Sequence, residues 1–326
     1  MHPLIIQTSK YTTDYMKQRI QQLDLLKFVC IVLMVMFHLV YIEQKYPYAK
    51  EVVYTFHMPI FLLISGYLAH PHRPARQYLR SQWWLFVPYL ALELPYVVLS
   101  GILGVRGGET DLSLPNLGYR VFVDPLGPYW YLHTLILCNL SLWGTERMLK
   151  RSGWPVRLGV FACVLLLLVF GTGLVSDNVL YYFIGVTIAE SGIHFLRVFR
   201  PSFWAFPLLA ILCYFPGNLQ YNSVGGIAIT YLVICLILKI YALSSEKILR
   251  HPLFIGRNTL PILLFSPIFT LSVKPLVPLL SFDPTGMIFL WISTTLAVGG
   301  SLTIAWSMDR TGLSRWFCGR PTLLCH

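Results

Sequence analysis

The chain has 326 residues, of which 12% are charged and 56% are hydrophobic. Soluble domains carry about 25% charged residues, so this composition excludes an ordinary water-soluble enzyme, a disordered chain and a nucleic-acid-binding module. One compact fold could not bury so much apolar surface, and lipid must cover the rest. The sequence therefore predicts an integral membrane protein. In such a protein the net charge of +11 must first be explained by loop orientation, because Lys and Arg concentrate on the cytoplasmic side.

Ten apolar windows reach or approach the length of about 20 residues that a membrane-spanning helix needs. The pattern predicts an all-α polytopic bundle of about ten transmembrane helices, folded as a single domain over residues 1–326. Prolines interrupt the ninth window and predict a kinked or broken helix there. The windows cover residues 23–42, 52–69, 82–103, 128–145, 156–174, 178–193, 202–217, 223–242, 258–280 and 285–308.

The basic residues agree with ten crossings and with both termini in the cytoplasm. Twenty of the 25 Lys and Arg residues lie on the termini and on one set of alternate loops, which is the distribution expected of cytoplasmic segments. Residues 1–22 are expected to form a cytoplasmic segment, since they lack the apolar core of a cleavable signal peptide. Residues 310–326 are expected to form a cytoplasmic tail. The net charge is then an orientation signal, and we expect no nucleic-acid partner.

Two further features concern loops and cysteines. The long outer connection, residues 104–127, is rich in Gly and Pro and is expected to form a loop or cap over the outer face. The seven cysteines show no C-x-x-C pair and mostly lie in apolar windows. This pattern is typical of small apolar core residues rather than of disulfides, and we expect no metal site.

The first window holds three ionisable residues, which are costly inside a bilayer and usually mark function. Lys27 and His38 lie 11 residues apart, which returns them to within about 20° of one helical face and separates them by about 16 Å along the axis. That separation is similar to the reach of the pantetheine arm of coenzyme A. Asp24 lies three residues before Lys27 and can pair with it. Alternatively, Asp24 and Lys27 only anchor the helix end, and His38 is a buried, hydrogen-bonded histidine.

Two more histidines are expected at a depth similar to that of His38. His57 lies near the outer end of the second window, and His133 near the outer end of the fourth, beside Trp130. His38 and His57 could share one cavity. A packing histidine and an interfacial aromatic belt are the alternative interpretations.

Charged residues also accompany the second, third and ninth windows. Arg73 and Arg76 follow the second window and lie three residues apart, close enough on a helical turn to bind one phosphate group. The alternative is a cytoplasmic anchor. Glu93, in the middle of the third window, could be an acid, an ion ligand or a partner for Lys274 in the ninth.

The ordered motifs resemble acyltransferase family 3, a family of membrane-bound enzymes. They lie between residues 19 and 135 and are more specific together than singly. They comprise Gln22-Leu-Asp24-Leu-Leu-Lys27-Phe, Val35-Met-Phe-His38, Phe56-His57-Met-Pro59 through Ser65-Gly66-Tyr67-Leu, Arg73-Pro-Ala-Arg76, Val87-Pro88-Tyr89 and Tyr129-Trp130-Tyr131-Leu132.

The resemblance implies a bacterial inner-membrane protein that transfers an acyl group, commonly acetyl from acetyl-CoA, to hydroxyls of cell-surface or lipid-linked carbohydrates. Lys27 and His38 match the family's basic residue and histidine, while Arg73 and Arg76 match its Arg-x-x-Arg element. Many members have Arg-Gly where this chain has Lys27-Phe28. Lys cannot supply the bidentate fork of Arg.

The resulting hypothesis is an O-acetyltransferase with acetyl-CoA as co-substrate and no permanently bound cofactor. The donor phosphates would bind Lys27 and the two arginines, and His38 would act as general base on the acceptor hydroxyl. His57 or Trp130 would orient the base or bind the thioester oxygen; an acyl-histidine intermediate is an open alternative. The rival classes are a proton-coupled transporter and a structural membrane subunit.

Overall fold

The computed structural model describes residues 19–102, 109, 111–172 and 176–325. Within these ranges every regular element is a helix, so the all-α prediction is confirmed for them, and each of the ten predicted windows contains a helix. Short 3-10 turns cover Gly127–Tyr129 and Pro216–Asn218. The helices are α1 Gln21–Phe37, α2 Val40–Lys45, α3 Pro47–Tyr67, α4 Ala75–Ile102, α5 Leu114–Phe122, α6 Trp130–Met148, α7 Trp154–Gly171, α8 Ser176–Glu190, α9 Phe195–Val198, α10 Ala205–Tyr214, α11 Val224–Leu243, α12 Glu246–Arg257, α13 Thr259–Ser272, α14 Leu276–Leu279, α15 Met287–Thr311 and α16 Leu313–Cys318.

Four of the helices that the structure describes are long and apolar enough to cross a membrane alone, namely α4, α7, α11 and α15. A fifth candidate span is the pair α12 and α13, which meet at an angle of 76°. The other windows hold helices that are shorter or less apolar. The count of ten crossings and the cytoplasmic position of the termini therefore remain predictions.

The first window is not one continuous helix. Helix α1 ends at Phe37, His38 lies at its carboxyl cap, and the extended backbone of Leu39 (ψ 102°) separates it from α2. The Met34 carbonyl accepts hydrogen bonds both from the His38 backbone N–H, at 3.0 Å, and from its ring, at 2.7 Å. His38 is thus fixed at the end of α1 rather than within the helix as predicted.

The ninth window is broken, as its prolines predict. Helix α13 ends at Ser272, and Pro275 precedes the single turn of α14. Proline lacks the N–H that would continue the hydrogen-bond ladder, which accounts for the break. Lys274 lies in the turn between these helices. Its predicted position inside a spanning helix is therefore wrong.

Helices α3 and α8 cross closely through two glycines. A Cβ on Gly66 would overlap the Tyr182 carbonyl, and one on Gly185 would overlap the Leu63 carbonyl. Small residues of this kind allow backbones to approach where lipid offers no hydrophobic drive between helices. The crossing fixes α3, the helix that carries His57, in the centre of the bundle.

The predicted outer connection is partly helical. Helix α5 occupies its second half, while residues 103–108 and 110 lie outside the described residues, as do residues 1–18 of the predicted amino-terminal segment. The peripheral helices expose large apolar side chains, with Phe170 on α7 at 87% and Phe206 on α10 at 67% exposure. Such surfaces fit a lipid environment.

Candidate active site

The stripe predicted for α1 lies against two neighbouring cavities. Lys27, Ile31 and Met34 line one of them, which we call the inner cavity, and Met34 and His38 line the other, the outer cavity. Their spacing of four, three and four residues keeps them on one helical face. Lys27 and His38 therefore face two neighbouring cavities from one side of α1. The two residues lie about 16 Å apart along the helix axis.

The inner cavity has a volume of about 370 Å³ and lies among α1, α3, α4, α6 and α13. Two predicted donor-binding cations, Lys27 and Arg73, line it together with His70. Burial lowers the pKa of His70, and the nearby positive charges of Arg73 and His72 lower it further. Neutral His70 leaves Lys27 and Arg73 as the formal charges that line this cavity.

A buried carboxylate holds Lys27 in position. Asp24 is only 3% exposed and forms ion pairs with Lys27 at 2.8 Å, as predicted, and with Arg19 at 2.7 Å. Arg257, at the bend between α12 and α13, approaches the same carboxylate at 3.8 Å. Three cations thus surround one anion, and the local charge beside the inner cavity is positive.

The outer cavity, with a volume of about 420 Å³, brings together His38, His57, Trp130 and Lys274. Glu43 and Asn178 add polar groups to its wall. The two predicted catalytic histidines therefore share one cavity, as the sequence suggested. Part of the opposite wall comes from the turn at Gly127.

The two cavities meet at three apolar side chains. Met34, Met58 and Leu263 line both cavities, and they come from three different helices. Methionine is unbranched and flexible, so it can move aside at low cost. These three side chains therefore separate the cavity at Lys27 from the cavity at His38.

Hydrogen bonds fix the proton positions of both histidines when their rings are neutral. The His38 Nδ1 lies 2.7 Å from the Met34 carbonyl, and the His57 Nδ1 lies 2.9 Å from the Val53 carbonyl. A carbonyl can only accept, so Nδ1 carries the proton in each ring and Nε2 keeps a lone pair. The Tyr54 ring lies between them, with centroids 6.1 Å from His38 and 5.0 Å from His57.

Four predicted site residues do not line either cavity: Asp24, whose ion pairs are given above, and Arg76, His133 and Glu93. Arg76 is exposed in the first turn of α4. The Nε2 of His133 lies 3.0 Å from the Phe122 carbonyl, and Glu93 is fully buried and accepts a hydrogen bond from the Leu126 N–H at 2.5 Å. Among the described residues Glu93 forms no ion pair with Lys274. His133 and Glu93 thus contact the end of α5 and the segment that follows it.

Several polar residues of the cavities were missed in the sequence. Tyr54 and Asn178 line the outer cavity, while Gln82 and Asn139 line the inner one. Gln82 and Asn139 are polar positions within predicted spanning windows, a signal that could have selected them. In the part of the chain that the structure describes, no three His, Cys, Asp or Glu side chains could hold a metal ion.

These observations define the class of protein: an apolar helical membrane protein in which a cationic internal cavity adjoins a histidine-lined one. The chain belongs to acyltransferase family 3, since the acyltransferase domain of that family matches residues 20–310. The match extends well beyond the motifs found in the first 135 residues and supports an acyltransferase activity. No curated protein and no solved structure matches the chain.

Proposed function

We propose that the protein transfers an acetyl group from cytosolic acetyl-CoA to a hydroxyl of a cell-surface or lipid-linked saccharide. One observation carries this proposal: the cavity lined by Lys27 and Arg73 meets the cavity lined by His38 and His57 at the junction of Met34, Met58 and Leu263. A donor with an anionic head and a long, slender arm matches that shape and charge. Membership of an acyltransferase family supports the same reaction type.

In this proposal the donor enters from the cytosol with its thioester end leading and its nucleotide end behind. Its phosphates stay beside Lys27 and Arg73, and Arg76, which lies outside the cavity, meets them at most at the mouth. The pantetheine arm passes the methionines and brings the thioester to the outer cavity. The charged nucleotide then never crosses the apolar core, where its desolvation would be prohibitive.

His38 acts as the general base. Its Nε2 removes the proton of the acceptor hydroxyl as the oxygen attacks the thioester carbonyl. The tetrahedral intermediate expels the CoA thiolate, which takes the proton back from the imidazolium. The products are the acetyl ester and the free thiol of CoA. The hydrogen bond from Nδ1–H to the Met34 carbonyl keeps the basic lone pair on Nε2 whenever the ring is neutral, before the proton is taken up and after it is released.

Trp130 is better suited than His57 to bind the thioester oxygen. The indole N–H can only donate a hydrogen bond, whereas neutral His57 donates its one N–H to Val53. His57 therefore serves to orient the acceptor or the base through its Nε2 lone pair. The saccharide occupies the outer cavity beside Lys274 and Asn178, and the protein resides in the bacterial inner membrane.

The test is acetyl transfer in isolated membranes. Membranes with the wild-type protein, supplied with labelled acetyl-CoA and a lipid-linked glycan fraction, should label the glycan. His38→Ala should lose at least about a hundredfold, the usual range for a general base. The matched control is His251→Ala, because His251 is an exposed histidine on α12 outside both cavities. Equal activity of the two variants would overturn the role of His38, and accumulation of an unmodified solute in vesicles would indicate a transporter instead.

A further inference from the structure

The inner cavity has one polar face and one apolar face. Ile31 and Leu260 belong to the apolar face, formed by α1 and α13. The polar face includes Gln82 from α4 and Asn139 from α6. Gln82 is only 7% exposed. A carboxamide in a spanning bundle is costly unless it is hydrogen-bonded, so its partners are informative.

The two carboxamides bond to each other and keep spare donors. Asn139 Nδ2 donates to Gln82 Oε1 at 3.2 Å, and Asn139 Oδ1 accepts from the Tyr182 hydroxyl at 2.6 Å. Gln82 Nε2 donates to the Ser81 hydroxyl at 3.3 Å. Each amide nitrogen carries two hydrogens and, among the described residues, uses one. The wall therefore presents unused N–H groups to the cavity.

A pair of hydroxyls also belongs to this polar wall. The Ser65 Oγ and the Tyr131 Oη lie 2.8 Å apart, and both residues line the inner cavity. Whichever hydroxyl donates, the other keeps a hydrogen that the described residues do not use. The hydrogen bonds between the helices do not use these donors. The wall can therefore bind a ligand that has several acceptor groups.

We propose that Gln82, Asn139, Ser65 and Tyr131 form a binding site for the two amide groups of the pantetheine arm. This inference rests on the proposed function. Pantetheine is a chain with two secondary amides, whose carbonyls accept hydrogen bonds and whose N–H groups donate them. Carboxamide and hydroxyl side chains can serve both roles. The apolar face packs against the methylene groups of the arm, and the polar face keeps its amides satisfied on the way to His38.

The experiment compares two ligands that share the nucleotide diphosphate. Purified protein in detergent is titrated with CoA and with ADP, which has no pantetheine arm, and the two Kd values are measured by calorimetry. Gln82→Met should weaken CoA binding by about tenfold, the equivalent of one or two hydrogen bonds, and leave ADP binding unchanged. Arg73→Ala should weaken both ligands. Ser65→Ala, a smaller change, should reproduce the selective effect if Gln82→Met folds poorly.

The matched controls lie on α4 and α6, the helices that carry Gln82 and Asn139. Gln77→Met removes an exposed carboxamide from α4, and Ser141→Ala removes a hydroxyl that bonds to the Leu137 carbonyl on α6, neither of them in the inner cavity. Both should keep wild-type affinity for CoA. Unchanged CoA affinity in Gln82→Met and Ser65→Ala, or an equal loss for CoA and ADP, would overturn the pantetheine site while leaving the proposed function standing. Failure of the wild type to bind CoA would overturn both.

Discussion

The His38 ring is held by the backbone of its own helix. The Met34 carbonyl accepts the ring N–H of His38 in addition to the backbone N–H of the same residue. The hydrogen bond selects the tautomer and holds the ring in the wall of the outer cavity. The same arrangement recurs at His57 with Val53. Both rings are thus pre-organised by their own helices, which lowers the cost of reaching a productive geometry.

Glu93 does not line the outer cavity but holds the segment that forms part of its wall. Its Oε1 accepts the Leu126 N–H, which precedes the turn at Gly127 that forms part of the cavity wall. Gly127 has a φ of 75°, and a Cβ there would overlap the Tyr96 ring. The carboxylate therefore fixes a turn that must bend sharply and pass close to an aromatic ring.

This role predicts different effects for two substitutions of Glu93. Glu93→Gln keeps an oxygen for the Leu126 N–H, so acetyl transfer and thermal stability should stay near wild type. Glu93→Leu leaves that N–H without its partner and should reduce the free energy of unfolding by about 1–3 kcal/mol. Transfer assays and thermal melts of both variants check this. Loss of activity in Glu93→Gln with an unchanged melting temperature would instead make the carboxyl group an acid in the reaction.

Sequence reasoning found the charged residues of the site better than its neutral polar ones. The pair of Asp24 with Lys27, and the shared face of Lys27 and His38, follow from helical periodicity within one segment. The contact of Gln82 with Asn139 joins α4 to α6 across 57 residues, and no local period specifies such a neighbour. Neutral polar side chains are also common on helix surfaces, so their type alone does not indicate a cavity.

The loop between α3 and α4 is anchored by a cluster of four charged side chains. His72 lies 3.6 Å from Glu146 at the end of α6 and 3.5 Å from Glu190 at the end of α8. Arg157 at the start of α7 pairs with both carboxylates, at 2.7 Å and 3.3 Å. Protonated His72 makes the cluster neutral. Since Arg73 is the next residue, the cluster also positions a cation of the inner cavity.

The cluster predicts a stability that depends on pH. The hydrogen bond to Glu190 raises the pKa of His72, although partial burial opposes it. A raised pKa in the folded state means that the stabilisation is complete below the ordinary histidine value of about 6.5 and is lost as the pH rises through the raised value. The melting temperature of wild type minus that of His72→Gln should therefore be larger at about pH 5.5 than at about pH 8.5.

The effect should be small, because the His72 side chain is 64% exposed and solvent screens exposed pairs. His251→Gln, on an exposed histidine outside the cluster, is the control and should show no such trend. A difference that grows with pH would contradict the predicted sign. A difference that is constant with pH would mean that packing, not charge, accounts for the contribution of His72.

Helix ends were harder to predict than helices. Every apolar window contains a helix, because hydrophobicity over 16 or more residues leaves few alternatives in lipid. The breaks at Leu39 and at residues 273–275 required local information. Proline marked the second break, whereas the first, between His38 and Val40, contains neither Gly nor Pro. The residues on both sides of the first break, His38 and Val40, line the outer cavity.

The whole molecule combines a close-packed centre with an apolar periphery. Helix α7 is an extreme case: only 11% of its most apolar segment is buried inside the protein, so lipid must cover the rest. The central helices α1 and α3 carry the cavities instead. Asp24 and His57 are buried on these two helices, and Lys27 lines the inner cavity, as expected for ionisable groups in a membrane-spanning bundle.

The proposed transfer across the bilayer requires the two cavities to open on opposite sides. Arg73 lines the inner cavity and Lys274 the outer one, and both residues are exposed, so each can be replaced by cysteine in a variant whose seven native cysteines are changed to serine or alanine. A membrane-impermeant maleimide should label Lys274→Cys in spheroplasts and Arg73→Cys only in inverted vesicles. Added CoA should protect Arg73→Cys from labelling. Gln77→Cys, exposed in the first turn of α4 and four residues after Arg73, should be labelled from the same side as Arg73→Cys without protection. If Arg73→Cys and Lys274→Cys were labelled from one side, both cavities would open on that side. The acetyl group would then remain in the compartment of its donor, and the junction at Met34 and Met58 would have no transfer to serve.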